Sequence, residues 1–199
     1  MTTEALVFLG ELDPDAIGPS LEFATHYEPT PVAQANALLD ASPLAPERAI
    51  FVDVGAGMGR VVMLAARRAF RAVIGVEISP ALAEIARENF ATLHDAKRVV
   101  RDVKIVRADA AEYTLPRGDL VVFMYNPFHG PVLDAVIGRL RVLPDRDVVL
   151  LYHTPVDRAA IDTTNAFDLV ADLGFGLAYR LRRWSVCGAL HPSARTARR

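Results

Sequence analysis

Cysteine is almost missing from this chain. Cys187 is the only one in 199 residues, which excludes an intramolecular disulfide framework and suits a reducing, cytoplasmic setting. Placed among apolar neighbours, it reads as a small buried hydrophobe. Excess charge is missing too: Lys and Arg number 22, Asp and Glu 24, the formal net charge is -2 and the pI is about 6.2. The chain as a whole therefore lacks the electrostatic footprint of a nucleic-acid binder, and nucleic acid is not an expected partner. No apolar run approaches the ~20 residues that span a bilayer. The opening "MTTEALVFLGELDPDAIGPS" has acidic neighbours instead of a basic n-region, so neither a signal peptide nor a membrane anchor is expected. His26, His94, His153 and His191 are scattered without paired ligand spacing, so no metal is expected. There is no solenoid repeat and no low-complexity linker.

What is present is apolar periodicity, and 52% hydrophobic residues can fill one core. "EPTPVAQANALLDAS" reads as a helix start, with Thr30 as N-cap, Pro31 at the first helical position and an end near Ala41. "RAIFVDVG" is a continuous apolar run stopped by glycine, the pattern of a strand covered on both faces. "RVVMLAARRAF" then reads as a helix with Arg67, Arg68 and Arg71 near its end, where cations complement the dipole. A second strand, "AVIGVEI", precedes an amphipathic helix opened by Ser79 and Pro80. "VKIVRAD", "DLVVFMYNP" and "DVVLLYH" supply three more strands, with the helix "GPVLDAVIGRLRVL" between the last two. A less determined helix lies near 156–164, and "AFDLVADL" and "YRLRRWSVCGAL" read as an antiparallel pair joined through "GFG" at the sheet edge. The expected fold is α/β: a doubly wound, Rossmann-like, mostly parallel seven-stranded sheet with an antiparallel C-terminal strand pair. Residues 1–45 are expected to form a helical or lid segment, 46–190 the main domain and 191–199, with three arginines and no apolar anchor, a solvated tail.

In such a sheet, ligands sit beyond the carboxyl ends of strands where the strand order reverses. The first strand ends in "FVDVGAGMGR", where Gly55, Gly57 and Gly59 allow a tight turn and a close approach of helix amides to a ligand. Glu77 ends the second strand, where a carboxylate can accept from both ribose hydroxyls, and Asp109 ends the third. Three strand ends in register point to a ligand that contains a nucleoside. The spacing is G-x-G-x-G after Asp53, unlike the dinucleotide fingerprint G-x-G-x-x-G.

"VDVGAGMGR", "VIGVEIS", "VRADA" and "VVFMYNPF" together resemble the motifs of class I S-adenosylmethionine-dependent methyltransferases, in the expected order and over roughly residues 26–190. The resemblance implies S-adenosylmethionine as cofactor. It implies that Gly55 and Gly57, with Ala56 and Gly59 in the same turn, lie against its methionine part and that Asp53 helps hold its amino end. Glu77 would take the ribose hydroxyls, Asp109 with Ala110 would frame the adenine, and Ile78 would press on the adenine face or serve the core. "YEPTP" upstream of these motifs is similar to small protein-lysine methyltransferases, including those acting on an ATP synthase rotor subunit, and more distantly to nucleosomal histone-lysine enzymes. There the upstream segment folds over the cofactor, which makes Tyr27, Glu28 and Thr30 lid candidates; the alternative is a solvated turn capping the next helix.

The fourth strand runs into "YNPFHG" beside the expected position of the methyl group. Methyl transfer needs positioning and removal of any proton that masks the nucleophile. Asn126 can accept from an amine N–H, Pro127 fixes the turn with a free carbonyl, and Phe128 offers an aromatic wall. "YNPF" resembles the Asn-Pro-Pro-Tyr/Phe loop of amino methyltransferases acting on adenine or glutamine amides, with one proline fewer. Glu28, Tyr125 and His129 are candidates for base or proton relay, against core packing for Tyr125 and helix capping for His129. Trp184, between basic residues, reads as a stacking surface or sheet-edge packing. The expected function is N-methylation of an amine, a protein lysine ahead of a small-molecule amine. The alternatives are a binding protein without turnover and a nicotinamide-dependent oxidoreductase.

Overall fold

The computed structural model describes residues 3–93, 98–143 and 145–183. Its strands are β1 (Ala49–Val54), β2 (Ala72–Glu77), β3 (Val103–Arg107), β4 (Asp119–Tyr125), β5 (Val148–His153), β6 (Phe167–Asp172) and β7 (Gly176–Leu181). They form one sheet in the order β3-β2-β1-β4-β5-β7-β6. β1 to β5 are parallel, and β7 inserts antiparallel between β5 and β6. The sheet is thus the expected one. The strand order reverses at β1, flanked by β2 and β4, and this opens a crevice at their carboxyl ends.

Apolar runs become central strands here because both faces are covered. Val52 and Val54 point into one core layer with Val132, Leu133 and Val136, whereas Phe51 points into the other with Leu38, Val61 and Val62. The first layer is closed by α5 (Gly130–Arg141), the second by α2 (Val32–Asp40) and α3 (Arg60–Ala65). Each fully buried aliphatic side chain contributes about 1.5–3 kcal/mol, so the strand ends that carry polar residues rest on the most heavily buried part of the molecule. α4 (Pro80–Ala91) begins as expected, with Ser79 Oγ accepting from the Leu82 N–H at 3.3 Å and Pro80 in the first turn. The remaining helices are short, α1 (Pro14–Ile17) and α6 (Ala159–Asp162).

Three local expectations are corrected. Thr30 does not cap α2; the N-cap position is Pro31, and Thr30 is buried with its carbonyl accepting from Arg60. α3 ends at Ala65, so Arg67, Arg68 and Arg71 lie beyond it, and Arg68 instead donates to Asp40 (2.5 Å) and to the Asn36 side chain (3.1 Å). β7 starts at Gly176, inside "GFG", and ends at Leu181. With β6 it extends the sheet beyond β5 as the expected antiparallel pair, β6 forming that edge. Trp184, Cys187, His94, His191 and the segment 191–199 lie outside the described residues. No described helix is long and apolar enough to cross a membrane.

Candidate active site

The crevice is a cleft, partly open to solvent, that encloses about 950 Å³ when the open solvent at its mouth is included. Its floor is the carboxyl edge of the sheet. Asp53, Gly55, Ala56 and Gly57 line it from β1 and the following turn, Glu77 and Ile78 from β2, Asp109 and Ala110 after β3, and Tyr125, Pro127 and Phe128 from β4 and its loop. Its roof is the N-terminal segment, which contributes Ser20, Ala24, Tyr27, Glu28 and Thr30 among others. Fourteen of the residues expected from sequence therefore surround one space.

The glycines have a steric reason. Gly55 has φ +81°, and a Cβ there would lie 2.4 Å from Pro127 Cβ; Gly57 has φ +53°, and a Cβ there would lie 2.3 Å from the Tyr27 ring. No other residue type tolerates both the left-handed backbone and such approaches. Glu77 ties the turn to the sheet, because the Gly57 N–H donates to its Oε2 at 2.7 Å and the Ser79 N–H to its Oε1 at 2.9 Å. The Ile78 N–H acts on it as well, and since a carboxylate has about four acceptor positions, about one remains for a ligand's hydroxyl. Burial pushes the Glu77 carboxyl up, and these backbone donors pull it back. Asp53, also buried, is pushed up to about 8, first by burial and then by the Glu77 charge. A carboxyl in this state, with no cation among the groups acting on it, is chemically suited to receive an ammonium group.

The roof is held by polar tethers to backbone. The Thr25 N–H donates to the Pro127 carbonyl (3.0 Å), Thr25 Oγ1 to the Asn126 carbonyl (2.6 Å) and the His129 N–H to the Phe23 carbonyl (2.9 Å). Ser20 Oγ donates to Asp109 Oδ2 at 2.5 Å, while Asp109 Oδ1 accepts from the Ala111 N–H. Arg60, itself buried, donates to the Thr3 carbonyl (2.8 Å) and the Thr30 carbonyl (3.1 Å) and pairs with Glu4. Sequence reasoning missed Arg60 and Ser20. Arg60 did carry a signal: a cation at the first position of a helix opposes the dipole and needs other partners to hold it.

Three expected site residues stand elsewhere. Asn126 does not line the cleft; its Oδ1 accepts from the Tyr152 hydroxyl at 3.2 Å, and its backbone is left-handed at φ 37°. Gly59 does not line it either and instead lets α3 pack on α4, where a Cβ would stand 3.1 Å from Ala86 Cβ. His129 packs its ring edge-to-face on Phe23, at 5.9 Å, outside the lining. Tyr125, by contrast, reaches the cleft, with Glu28 and Thr154 both acting on its hydroxyl.

Residues 51–143 match a family model described as a methyltransferase domain. This stretch is similar to methyltransferase domains. The match supports the class of S-adenosylmethionine-dependent methyltransferases ahead of a nicotinamide-dependent oxidoreductase. No curated protein matches the chain. Among solved structures, an RNA methyltransferase from Salinibacter ruber in complex with S-adenosyl-L-homocysteine is 24% identical with a TM-score of 0.54, over 77% of this chain and 92% of that one. A dimethyladenosine transferase from Plasmodium falciparum is 11% identical with a TM-score of 0.56, over 76% and 61%. A ribosomal protein L11 methylase from Lactobacillus delbrueckii subsp. bulgaricus is 19% identical with a TM-score of 0.50, over 75% and 76%. At these identities the likeness is one of fold. The cofactor, S-adenosylmethionine, fits the cleft on its chemistry: Asp53 suits its ammonium and Glu77 keeps acceptor capacity for its ribose.

Proposed function

We propose that the methyl acceptor is an amine, a protein lysine ahead of a small-molecule amine. The observation that carries this is the charge of the roof. Residues 3–31 include Glu4, Glu11, Asp13, Asp15, Glu22 and Glu28 and no Lys or Arg, while all 22 Lys and Arg lie beyond them, so the rest of the chain is net positive. Of these acidic residues only Glu28 lines the cleft, and the net negative charge of the segment that covers it favours a cationic acceptor over a phosphodiester. Two of the similar structures are named for RNA or adenosine acceptors, so chain-wide charge balance alone is a poor guide against nucleic acid. The local sign of the roof is the stronger argument.

The cofactor supplies an electrophilic methyl group on a sulfonium sulfur. The chain's part is to hold the two partners and to manage a proton. Asp53, Gly55, Gly57 and Glu77 would bind the amino-acid and ribose portions, and Ile78, Asp109 and Ala110 the base. Tyr27, Glu28 and Thr30 close the cleft from the roof, and Pro127 and Phe128 wall the acceptor side. Asn126 acts at one remove, by fixing the β4 loop through Tyr152 and Thr25. Glu28 faces an incoming ammonium, and Tyr125 beside it has burial and that carboxylate holding its hydroxyl at about 12, so it stays protonated at neutral pH.

The test offers methyl-labelled S-adenosylmethionine and the protein to a cell lysate in two arms. Label is counted as methyl-lysine after acid hydrolysis of the RNase-treated protein fraction, and as labelled nucleoside in the deproteinised RNA. Methyl-lysine is the expected product. Label confined to RNA would overturn the amine acceptor.

A further inference from the structure

Strands β1 to β5 each enter the sheet behind an arginine. Arg101 lies two positions before β3, Arg71 one before β2, Arg48 one before β1, Arg117 two before β4 and Arg146 two before β5. Arg183 follows β7, which runs antiparallel and so ends at this same edge. Neighbouring strands are about 4.8 Å apart, so in this strand order the row runs about 24 Å from β3 to β7. It occupies the amino edge of the sheet, opposite the cleft.

The centre of the row is built in two layers. Asp147, just before β5, is buried, and Arg48 (3.4 Å), Arg180 (3.0 Å) and Arg183 (2.7 Å) converge on its carboxylate; Arg48 also stands 3.1 Å from Asp119. The two carboxylates lie inside, with side chains 5% and 21% exposed, and the three guanidiniums outside, at 47% to 63%. Each guanidinium has five N–H donors in a planar fork. Arg48 and Arg180 each spend one nitrogen on Asp147, so the inner carboxylates fix the forks and leave donors facing water. Arg71 extends the layer across β1, its Nη1 lying 3.8 Å from where a Gly118 Cβ would stand. Arg71, Arg101 and Arg117 are exposed and make no ion pair among the described residues. Glu47, Asp102, Asp145 and Asp168 share this edge, but Asp102 is taken by Lys104 and Asp168 by Arg182. The outward balance is therefore positive. A chain-wide net charge of -2 hides it, because the acidic roof at the other end offsets it.

The partner must be one that charge alone can hold. A protein interface needs an apolar core and a lipid surface an apolar wedge. The exposed apolar residues nearest this edge are Val99, beside the end of α3, and Val142, at the end of α5. These helices cover opposite faces of the sheet, so the two valines form no common patch. A nucleic-acid backbone needs only a line of cations, and a duplex, with one charge per about 1.7 Å of axis, returns the most counterions to solution. We propose that the amino edge of the sheet docks the phosphodiester backbone of a nucleic-acid duplex on the row from Arg101 to Arg183. The row is remote from the cleft, so the inference goes beyond the amine reading and does not depend on it.

Fluorescence anisotropy of a labelled RNA duplex, titrated with the full chain between about 50 and 200 mM salt, tests the row. Arg71→Gln with Arg117→Gln removes two unpaired contacts. This pair is expected to weaken binding at least about tenfold at the lower salt and to make the salt slope shallower by about 2. Arg87→Gln with Arg158→Gln removes the same charge away from this edge and is expected to keep the wild-type slope. Calorimetry should give unchanged S-adenosylhomocysteine affinity in both pairs, because neither touches the cleft. Phosphatidylserine vesicles and polyglutamate serve as competing polyanions. No duplex binding by the wild type at low salt, equal losses in the two pairs, or equal affinity for either competitor would overturn the docking row. Methyl label on the duplex would overturn the amine acceptor and leave the row standing, so the two failures are separable.

Discussion

The floor and the roof of the cleft are built on different physics. The floor consists of strand ends whose backbone is fixed by parallel ladders on both sides and whose neighbours are fully buried. The roof, residues 3–31, has only short helical pieces, and a few polar groups tether it to the floor. A helix of four residues such as α1 has no stability of its own. Opening the roof therefore costs little more than its tethers, whereas deforming the floor means deforming the core. That division suits an enzyme that must exchange a cofactor over a rigid set of recognition groups.

The most damaging test of the floor is Gly55→Ala. The left-handed backbone alone costs about 1–2 kcal/mol for a residue with a Cβ, and the overlap with the ring of Pro127 adds to it. Calorimetry with S-adenosylhomocysteine is expected to show affinity lower by about 100-fold or more, with the far-UV circular dichroism spectrum retained. Unchanged affinity would mean that the turn is not a rigid part of the floor.

Next in size is a pH effect carried by Asp53. Its carboxyl is pushed up to about 8 in the folded protein from an ordinary 3.8, so the folded state holds a proton that the unfolded chain releases between those values. Stability from this group is complete below about pH 4 and is lost as pH rises through 8. Cofactor binding has the opposite sign, because an ammonium favours the carboxylate and binding below pH 8 must expel the proton. The melting temperature of the free protein is expected to fall from pH 5 to 8, while affinity for S-adenosylhomocysteine rises by up to about tenfold per pH unit over pH 6.5–8. Asp53→Asn should flatten both trends.

The roof is tested by Arg60→Met, which keeps the stem and removes the buried donors to Thr3 and Thr30. Hydrogen bonds to a charged group contribute about 1.5–3 kcal/mol, so proteolytic cleavage within residues 3–31 should quicken by at least about tenfold where opening precedes cleavage. The main unfolding transition should move far less. Equal losses in both would show that roof and floor are one cooperative unit.

The same division explains what could be read from the sequence. Strand runs, the Ser79 cap and the glycine turn are local patterns, and the strand ends bring Asp53, Glu77 and Asp109 to one edge whatever their side chains touch. The errors concern partners far apart in the chain. Asn126 turns away from the cleft because Tyr152, 26 positions later, offers it a hydroxyl. The roof's acidic bias was visible as composition, but its meaning depended on where the segment folds.

Ser20 gives the smallest and most specific test of where floor meets roof. Its hydroxyl donates to Asp109 Oδ2 at 2.5 Å across 89 positions of sequence, while Asp109 Oδ1 is already occupied by the Ala111 N–H. Ser20→Ala removes one tether and leaves the carboxylate partly exposed to water, so the loss should be at the ordinary scale of one hydrogen bond, about 0.5–1.5 kcal/mol. If the bond holds the roof over the adenine end, S-adenosylhomocysteine binding should weaken by about 2- to 10-fold, chiefly through faster dissociation. If Ser20 instead occupies an Asp109 oxygen that the cofactor needs, the variant should bind more tightly. A stopped-flow dissociation rate decides between them, because only a tether slows release.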